Sequence, residues 1–190
     1  MKKLNFIIKC GLALLLLSFY SCESWLNVTT SDRLSEEMLF NDREGFVKAL
    51  NGVYIELNTN ELYGRNLTAG ALDVMGQYYS VASSSHAFYN YGGLVYTGND
   101  EKALFDNMWQ KCYAVIACCN TIIEKCDENK AGLSPVWRGS IKGEALALRA
   151  MLHFDMLRLF GPLTSELDKE SIPYQTNSDQ TVTPLLSGSE

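Results

Sequence analysis

The sequence predicts an all-α protein built of helical hairpins with long loop insertions. Residues 101–126 and 135–160 each carry a long apolar stripe at helical spacing, with only a short polar connection between them. A third, shorter stripe covers residues 43–57, and the stretch between it and the hairpin breaks helical periodicity with glycines, serines and tyrosines.

The chain opens on Lys2 and Lys3, followed after Lys9 by an apolar run from Cys10 to Tyr20. That run lies within the roughly 7–15 residues of a secretory h-region and is short of the ~20 that span a bilayer. Ser21 then precedes Cys22. A small residue and a cysteine just past the h-region resemble a bacterial lipoprotein signal, in which Cys22 is lipidated and begins the mature chain. Phe19 and Tyr20 stand where such signals usually carry leucine and a small residue, so an ordinary cleaved signal is the alternative. Either way, residues 1–21 are expected to be a leader and residues 22–190 the helical domain.

Residues 23–40 read as a polar, extended lead-in. Asn41 is then a candidate N-cap for a helix over Arg43–Leu57, with Glu44 in capping-box position. Phe46, Ala49, Leu50, Val53, Tyr54 and Leu57 define its buried face. In residues 58–98 a short helix around 68–79 fits, and the remainder reads as a long ordered loop of the kind that is usually functional. In the helix over 101–126 the stripe is Phe105, Trp109, Cys112, Ile116, Cys119 and Ile123. The helix over 135–160 has the clearest signals: Ser134 as cap, Pro135 at the first position and Gly161-Pro162 as the stop. Its face is Ile141, Ala145, Leu148, Leu152, Met156 and Leu159. Val115, Ile122, Ala147 and Leu157 lie off these stripes, so each helix has a second apolar face, as in a helical solenoid. No sequence repeat accompanies it. At the end of the chain, Leu186, Ser187 and Glu190 match an apolar lead, a cap and an N3 glutamate, which predicts a helix start and a chain cut before its next helix.

The formal charge is −6, and losing the three leader lysines makes it more negative. An acidic chain is a poor partner for nucleic acid or for anionic lipid bound through charge, so any membrane attachment would rest on acyl chains. Cys112, Cys119 and Cys126 repeat every seven residues, about 10 Å apart along a helix axis. A disulfide tolerates at most about 7 Å between Cα atoms, which excludes bridges among them. With no C-x-x-C and matching pair for zinc, these thiols and Cys118 read as small apolar residues. Glu144 and Arg149 suggest chemistry at first sight. Five residues apart on one helix they do not face each other, and no nucleophile or second carboxylate accompanies them. Structural pairing with another helix is the expectation, no catalytic residue is assigned, and no metal or cofactor is implied. His153, one turn after Arg149, reads as a packing residue, and His86 as a solvated loop histidine.

Residues 141–161, Ile141-Lys-Gly-Glu-Ala-Leu-Ala-Leu-Arg-Ala-Met-Leu-His-Phe-Asp-Met-Leu-Arg-Leu-Phe-Gly161, closely resemble a signature segment of the SusD/RagB family. That segment runs Gly-Glu-Ala, Arg-Ala, an aromatic, and a closing Phe-Gly or Tyr-Gly. The preceding helix resembles the family through Trp109, Tyr113, Ile116, Asn120, Ile122 and Ile123. So do Cys22-Glu-Ser-Trp-Leu-Asn-Val28, at the expected mature start, and Ile172-Pro-Tyr174. The resemblance implies tetratricopeptide-like helix pairs, a lipid anchor at the outer membrane, and an outward-facing, non-enzymatic protein. It also implies a ligand, a glycan or in some branches a peptide, and a SusC-like TonB-dependent transporter as partner. Members are longer than this chain, which would supply their first helix pairs.

Tyr78, Tyr79, Tyr89, Tyr91 and Tyr96, with Phe88, crowd into one Gly- and Ser-rich stretch. Sugars present an apolar C–H face and a polar rim, and tyrosine answers both at little entropic cost. Asp73, Gln77, Asn90 and Asn99 are candidates for the polar rim. Asp73, Tyr78, Tyr79, Tyr89 and Tyr91 are therefore the expected ligand-binding residues. The other reading is that the rings pin the loop to the helices, and the sequence leaves both open.

Overall fold

The computed structural model describes residues 36–179 and 183–189, so the expected leader, Cys22 and most of the lead-in lie outside the described residues. A short helix α1 (Glu36–Leu39) leads into α2 (Arg43–Leu57). The bounds of α2 are those expected, but its cap is Asp42, whose carboxylate accepts from the Gly45 N–H at 2.8 Å, and not Asn41. The register is set by Gly45. A Cβ there would lie 1.5 Å from the Leu39 carbonyl oxygen, so this turn of α2 presses directly on the end of α1. Phe40 meets Phe46 edge-on at 4.9 Å, an apolar staple across the helix entry.

Residues 58–98 wind through consecutive turns and two short helices, α3 (Ala71–Met75) and α4 (Tyr89–Gly92). Leu62, Leu67 and Val74 are buried, and the Tyr63 hydroxyl donates to Asp155 Oδ2 at 2.5 Å. The two long helices follow as α5 (Asn99–Glu128) and α6 (Pro135–Phe160). The first is longer than its stripe predicts by two residues at each end. It ends on Asn129 in the left-handed conformation, whose side chain accepts from Leu133 N–H at 2.8 Å and closes the connection. Ser134 caps α6 through the Trp137 N–H, and at Gly161 a Cβ would sit 2.3 Å from the Leu157 carbonyl oxygen.

Contacts between α5 and α6 run in opposite directions along the two helices: Cys112 with the Leu152 carbonyl, Asn120 with Arg149, and Asp127 with Lys142. They form the expected antiparallel hairpin, and α2 packs against both members. Met108, Val115 and Ile122 are as buried as Cys112, Ile116 and Cys119, so the second apolar face of α5 is covered. On α6 the second face is not: Ala147 is exposed, as are Leu146, Met151 and Phe154. The buried thiols of Cys112 and Cys119 are pushed up to about 12 by burial, which makes them inert apolar filling. Cys118 is the exception to the expected burial; one residue before Cys119 on the helix, it faces the exposed side.

A two-stranded antiparallel sheet closes the fold, β1 (Glu170–Pro173) against β2 (Leu185–Ser187), with Glu170 opposite Ser187 and Pro173 opposite Leu185. This corrects the helix expected to start at Ser187. The residue lies in an extended strand whose partner supplies pairing that local capping chemistry does not anticipate. Beyond β1 the chain is fastened to the hairpin side by side with its polar groups. Asn120, fully buried in α5, donates through Nδ2 to the carbonyls of Gln175 (3.2 Å) and Asn177 (2.8 Å), and its Oδ1 accepts from Arg149 at 2.7 Å. Arg149 also reaches the Thr176 carbonyl. The Tyr113 hydroxyl donates to the Pro173 carbonyl, and Glu124 accepts from the Ser178 N–H and hydroxyl. His153 accepts at Nε2 from the Gln175 N–H (3.1 Å), which leaves Nδ1–H to donate to the Arg149 carbonyl (2.9 Å).

Truncating Asn120 removes its bonds to the Gln175 and Asn177 carbonyls and to Arg149. Asn120→Ala is expected to lower unfolding free energy by about 2–3 kcal/mol and to speed amide exchange at residues 174–178. Unchanged protection of those amides would mean that something else holds the segment. His153 sits below the ordinary imidazole range, chiefly through burial, with the Arg149 guanidinium adding to it and the bond to the Arg149 carbonyl opposing it. The unfolded chain therefore binds this proton first, and stability is lost as pH falls below about 6.5. Denaturation of wild type and His153→Gln from about pH 7.5 down to about pH 5 checks this: the variant is expected to show the shallower dependence, and equal slopes would refute the assignment.

Candidate functional site

The two short helices of residues 58–98 end alike. Gly76 closes α3 and is followed by Gln77 at φ 62°, and Gly93 closes α4 and is followed by Leu94 at φ 54°. Left-handed backbone at a residue with a Cβ costs roughly 1–2 kcal/mol, so the surroundings must hold both turns in place. They do so by direct bonds. Gln77 Nε2 donates to the Gly92 carbonyl at 2.9 Å, and Asn90 Nδ2 donates to Glu101 Oε1 at 2.7 Å. Glu101 is itself buried in the first turn of α5 and folds back over Gly98, where a Cβ would collide with its carboxylate.

Between these turns lies a cavity of about 380 Å³. Tyr79 and Tyr89 contribute rings to it, 57 % and 42 % exposed. Gln77, Ser80 and Asn90 contribute polar groups, and Val81, Val95 and the Gly92-Gly93 backbone complete the wall. The arrangement offers flat apolar faces beside hydroxyl and amide groups, with no nucleophile–base pair among them.

The expected site residues therefore separate. Tyr79 and Tyr89 come together on one cavity, joined by Gln77 and Asn90. Tyr78 is 80 % exposed and stands outside the lining. Asp73 stays half-buried on α3, and Asn99 opens α5; neither reaches the cavity wall. Tyr91 is the clear departure from expectation. It is 3 % exposed, packs edge-on between Phe88 (5.8 Å) and Phe105 (6.1 Å), and its hydroxyl meets the Asp100 carbonyl. Burial, reinforced by Glu101 and Asp100, pushes its phenol above the usual range. Tyr91 pins the loop. Tyr96, edge-on to Phe105 at 5.6 Å, does the same at its other end. His86 accepts from the Phe88 N–H at 3.1 Å and shapes a turn.

Glu144 and Arg149 have neutral partners, not the expected ion pair: Glu144 accepts from the Tyr54 hydroxyl on α2 at 2.5 Å, and Arg149 serves the Asn120 cluster. No group of three or more potential metal ligands occurs among the described residues. A second concavity, about 280 Å³ and mostly apolar, lies between α6 and the sheet, lined by Phe154, Leu157, Ile172, Tyr174 and Leu186. Periodicity could not have found it, because two of those residues belong to strands with no sequence signal.

The structure thus presents a helical hairpin scaffold with an aromatic and amide-lined cavity on an inserted loop. Residues 24–186 match the family model described as starch-binding associating with outer membrane, and the chain belongs to that SusD-like family. It is also similar to SusD-like protein P2 of Formosa agariphila, at 25 % identity over 166 residues, covering 85 % of this chain and 30 % of that protein. The chain thus spans about a third of the length of that relative. No solved structure matches the chain.

The division of rings into pins and walls is measurable. Tyr91→Ala is expected to cost about 3–5 kcal/mol of stability, whereas Tyr79→Ala and Tyr89→Ala cost less than about 1 kcal/mol each. Chemical denaturation of the three variants decides it, and equal losses would erase the distinction.

Proposed function

We propose that this protein is a non-catalytic carbohydrate-capture lipoprotein. Anchored through Cys22 and facing outward from the outer membrane, it hands oligosaccharides to a SusC-like TonB-dependent transporter. The observation that carries the reading is the pairing of two exposed tyrosine rings with two oriented amides in one cavity of a SusD-like chain. A pyranose buries its C–H face on a ring while its hydroxyls exchange hydrogen bonds with amide and hydroxyl groups, and that cavity offers both. Support for the capture role also comes from the family's description as starch-binding associating with outer membrane. A peptide as ligand, as in the RagB-like branch, is the outcome to expect if sugars fail.

A second role on the same chain, docking to the transporter, is favoured by a separate observation. The outer face of α6 exposes Leu146, Met151 and Phe154, and the apolar concavity continues it toward the sheet. An unpaired apolar helix face marks an interaction surface. If docking were the whole function, the protein would co-purify with a large outer-membrane barrel and bind no sugar.

Calorimetry on the full-length protein with a panel of oligosaccharides tests capture. One or more sugars should bind, and Tyr79→Ala or Tyr89→Ala should each weaken that binding about five- to tenfold, the equivalent of about 1–1.4 kcal/mol. Unchanged affinity in both variants would remove this cavity from the reading.

A further inference from the structure

We infer that the Tyr79–Tyr89 cavity selects neutral sugars and turns away acidic or sulfated ones, an inference that rests on the capture role proposed above. The first ground is composition: the described residues lining the cavity include no charged side chain. Arg65, on the same segment, is engaged elsewhere. Its guanidinium lies over the Phe88 ring at 5.9 Å, and its Nε donates to Asn66.

The second ground is the orientation of the two amides, which the protein dictates. Asn90 must turn its nitrogen toward Glu101, because the reverse would set an oxygen against a carboxylate at 2.7 Å. Gln77 must turn its nitrogen toward the Gly92 carbonyl at 2.9 Å for the same reason. Each amide thus commits one of its two N–H groups to the protein, and its carbonyl oxygen is an acceptor suited to a sugar hydroxyl. A carbonyl oxygen accepts from a sugar hydroxyl, whereas a carboxylate or sulfate group, with acceptors only, gains nothing from it and loses the N–H that each amide has given to the protein.

The third ground is field. The carboxylate of Glu101 stands one amide behind the Asn90 oxygen, in a buried setting where solvent screens it little. An anion in the cavity would lie near that charge with no cation among the described lining residues to offset it, and the chain as a whole carries −6. All three effects have the same sign.

The test is a binding panel on the full-length protein with paired probes: neutral α- and β-glucan, galactomannan and xylan oligosaccharides against polygalacturonate, alginate and sulfated galactan oligosaccharides. The expected result is binding confined to neutral probes. Their affinity should change less than about twofold between about 0.02 and 0.5 M salt, because no ion pair contributes. Acidic probes should bind at least about tenfold more weakly than the best neutral one. A preference for acidic probes would overturn the inference while leaving carbohydrate capture intact. Silence across the whole panel, or binding only to peptides, would overturn the capture role itself. As a second arm, Val95→Lys adds a cation to the lining and should raise affinity for acidic probes about tenfold at low salt. No gain in a folded variant would show that charge is not what excludes them.

Discussion

The buried amide of Asn120 is the interaction on which the outer layer of this fold depends. A helix hairpin needs only its stripes, and α5 and α6 would meet on apolar grounds alone. The segment that follows β1 has no such stripe. It is irregular backbone laid across two helices, and its carbonyls would be stranded if nothing in the helices answered them. Asn120 answers two of them and receives Arg149 on its remaining oxygen, while His153 receives the next N–H. Removing Asn120 takes a partner from Gln175, Asn177 and Arg149 together, so these groups are coupled.

This arrangement explains which parts of the sequence resemble the family and why. Arg149, Asn120, Tyr113 and the Ile172-Pro-Tyr174 stretch are far apart in sequence, yet all meet in the one cluster. A second device runs alongside it. Rings follow one another from Phe88 through Tyr91, Phe105, Phe160, Trp109, Tyr113 and His153 to Tyr174, with neighbouring centroids 4.6 to 6.3 Å apart. Phe160 of the closing Phe-Gly and Trp109 are steps of this ladder. The signature residues are thus scaffold chemistry, which is why they identify the fold and say little about the ligand.

Helix position was legible because it is local. The stripes of α5 and α6, Ser134, Pro135 and Gly161 place the hairpin to within two residues. What stayed hidden depends on distant pairing. The cap of α2 moved from Asn41 to Asp42 because Gly45 packs on Leu39, and the strand at Leu185–Ser187 exists only through its partner. The candidate site shows the same boundary. Tyrosine density marked the right segment, but composition cannot say which ring turns inward. Tyr91 was drawn into the ladder by Phe88 and Phe105, whereas Tyr79 and Tyr89 were left at the cavity.

That separation has a structural logic. The loop is anchored at the first turns of α5, through Glu101 and Phe105, and the Asn120 cluster sits nineteen positions further along the same helix, roughly 28 Å away at 1.5 Å per residue. At that distance direct coupling is weak, and the ring ladder through Phe105 and Phe160 is what links the two ends. The rings of the ladder fix where the loop stands, and the rings outside it are free of any packing duty. Tyr79 and Tyr89 can therefore change without loosening the hairpin, provided that Gln77, Asn90, Tyr91, Glu101 and the two left-handed turns remain. A scaffold made rigid by α5, carrying a loop whose Tyr79 and Tyr89 rings stand outside the ladder, is a division that leaves those two positions open to change.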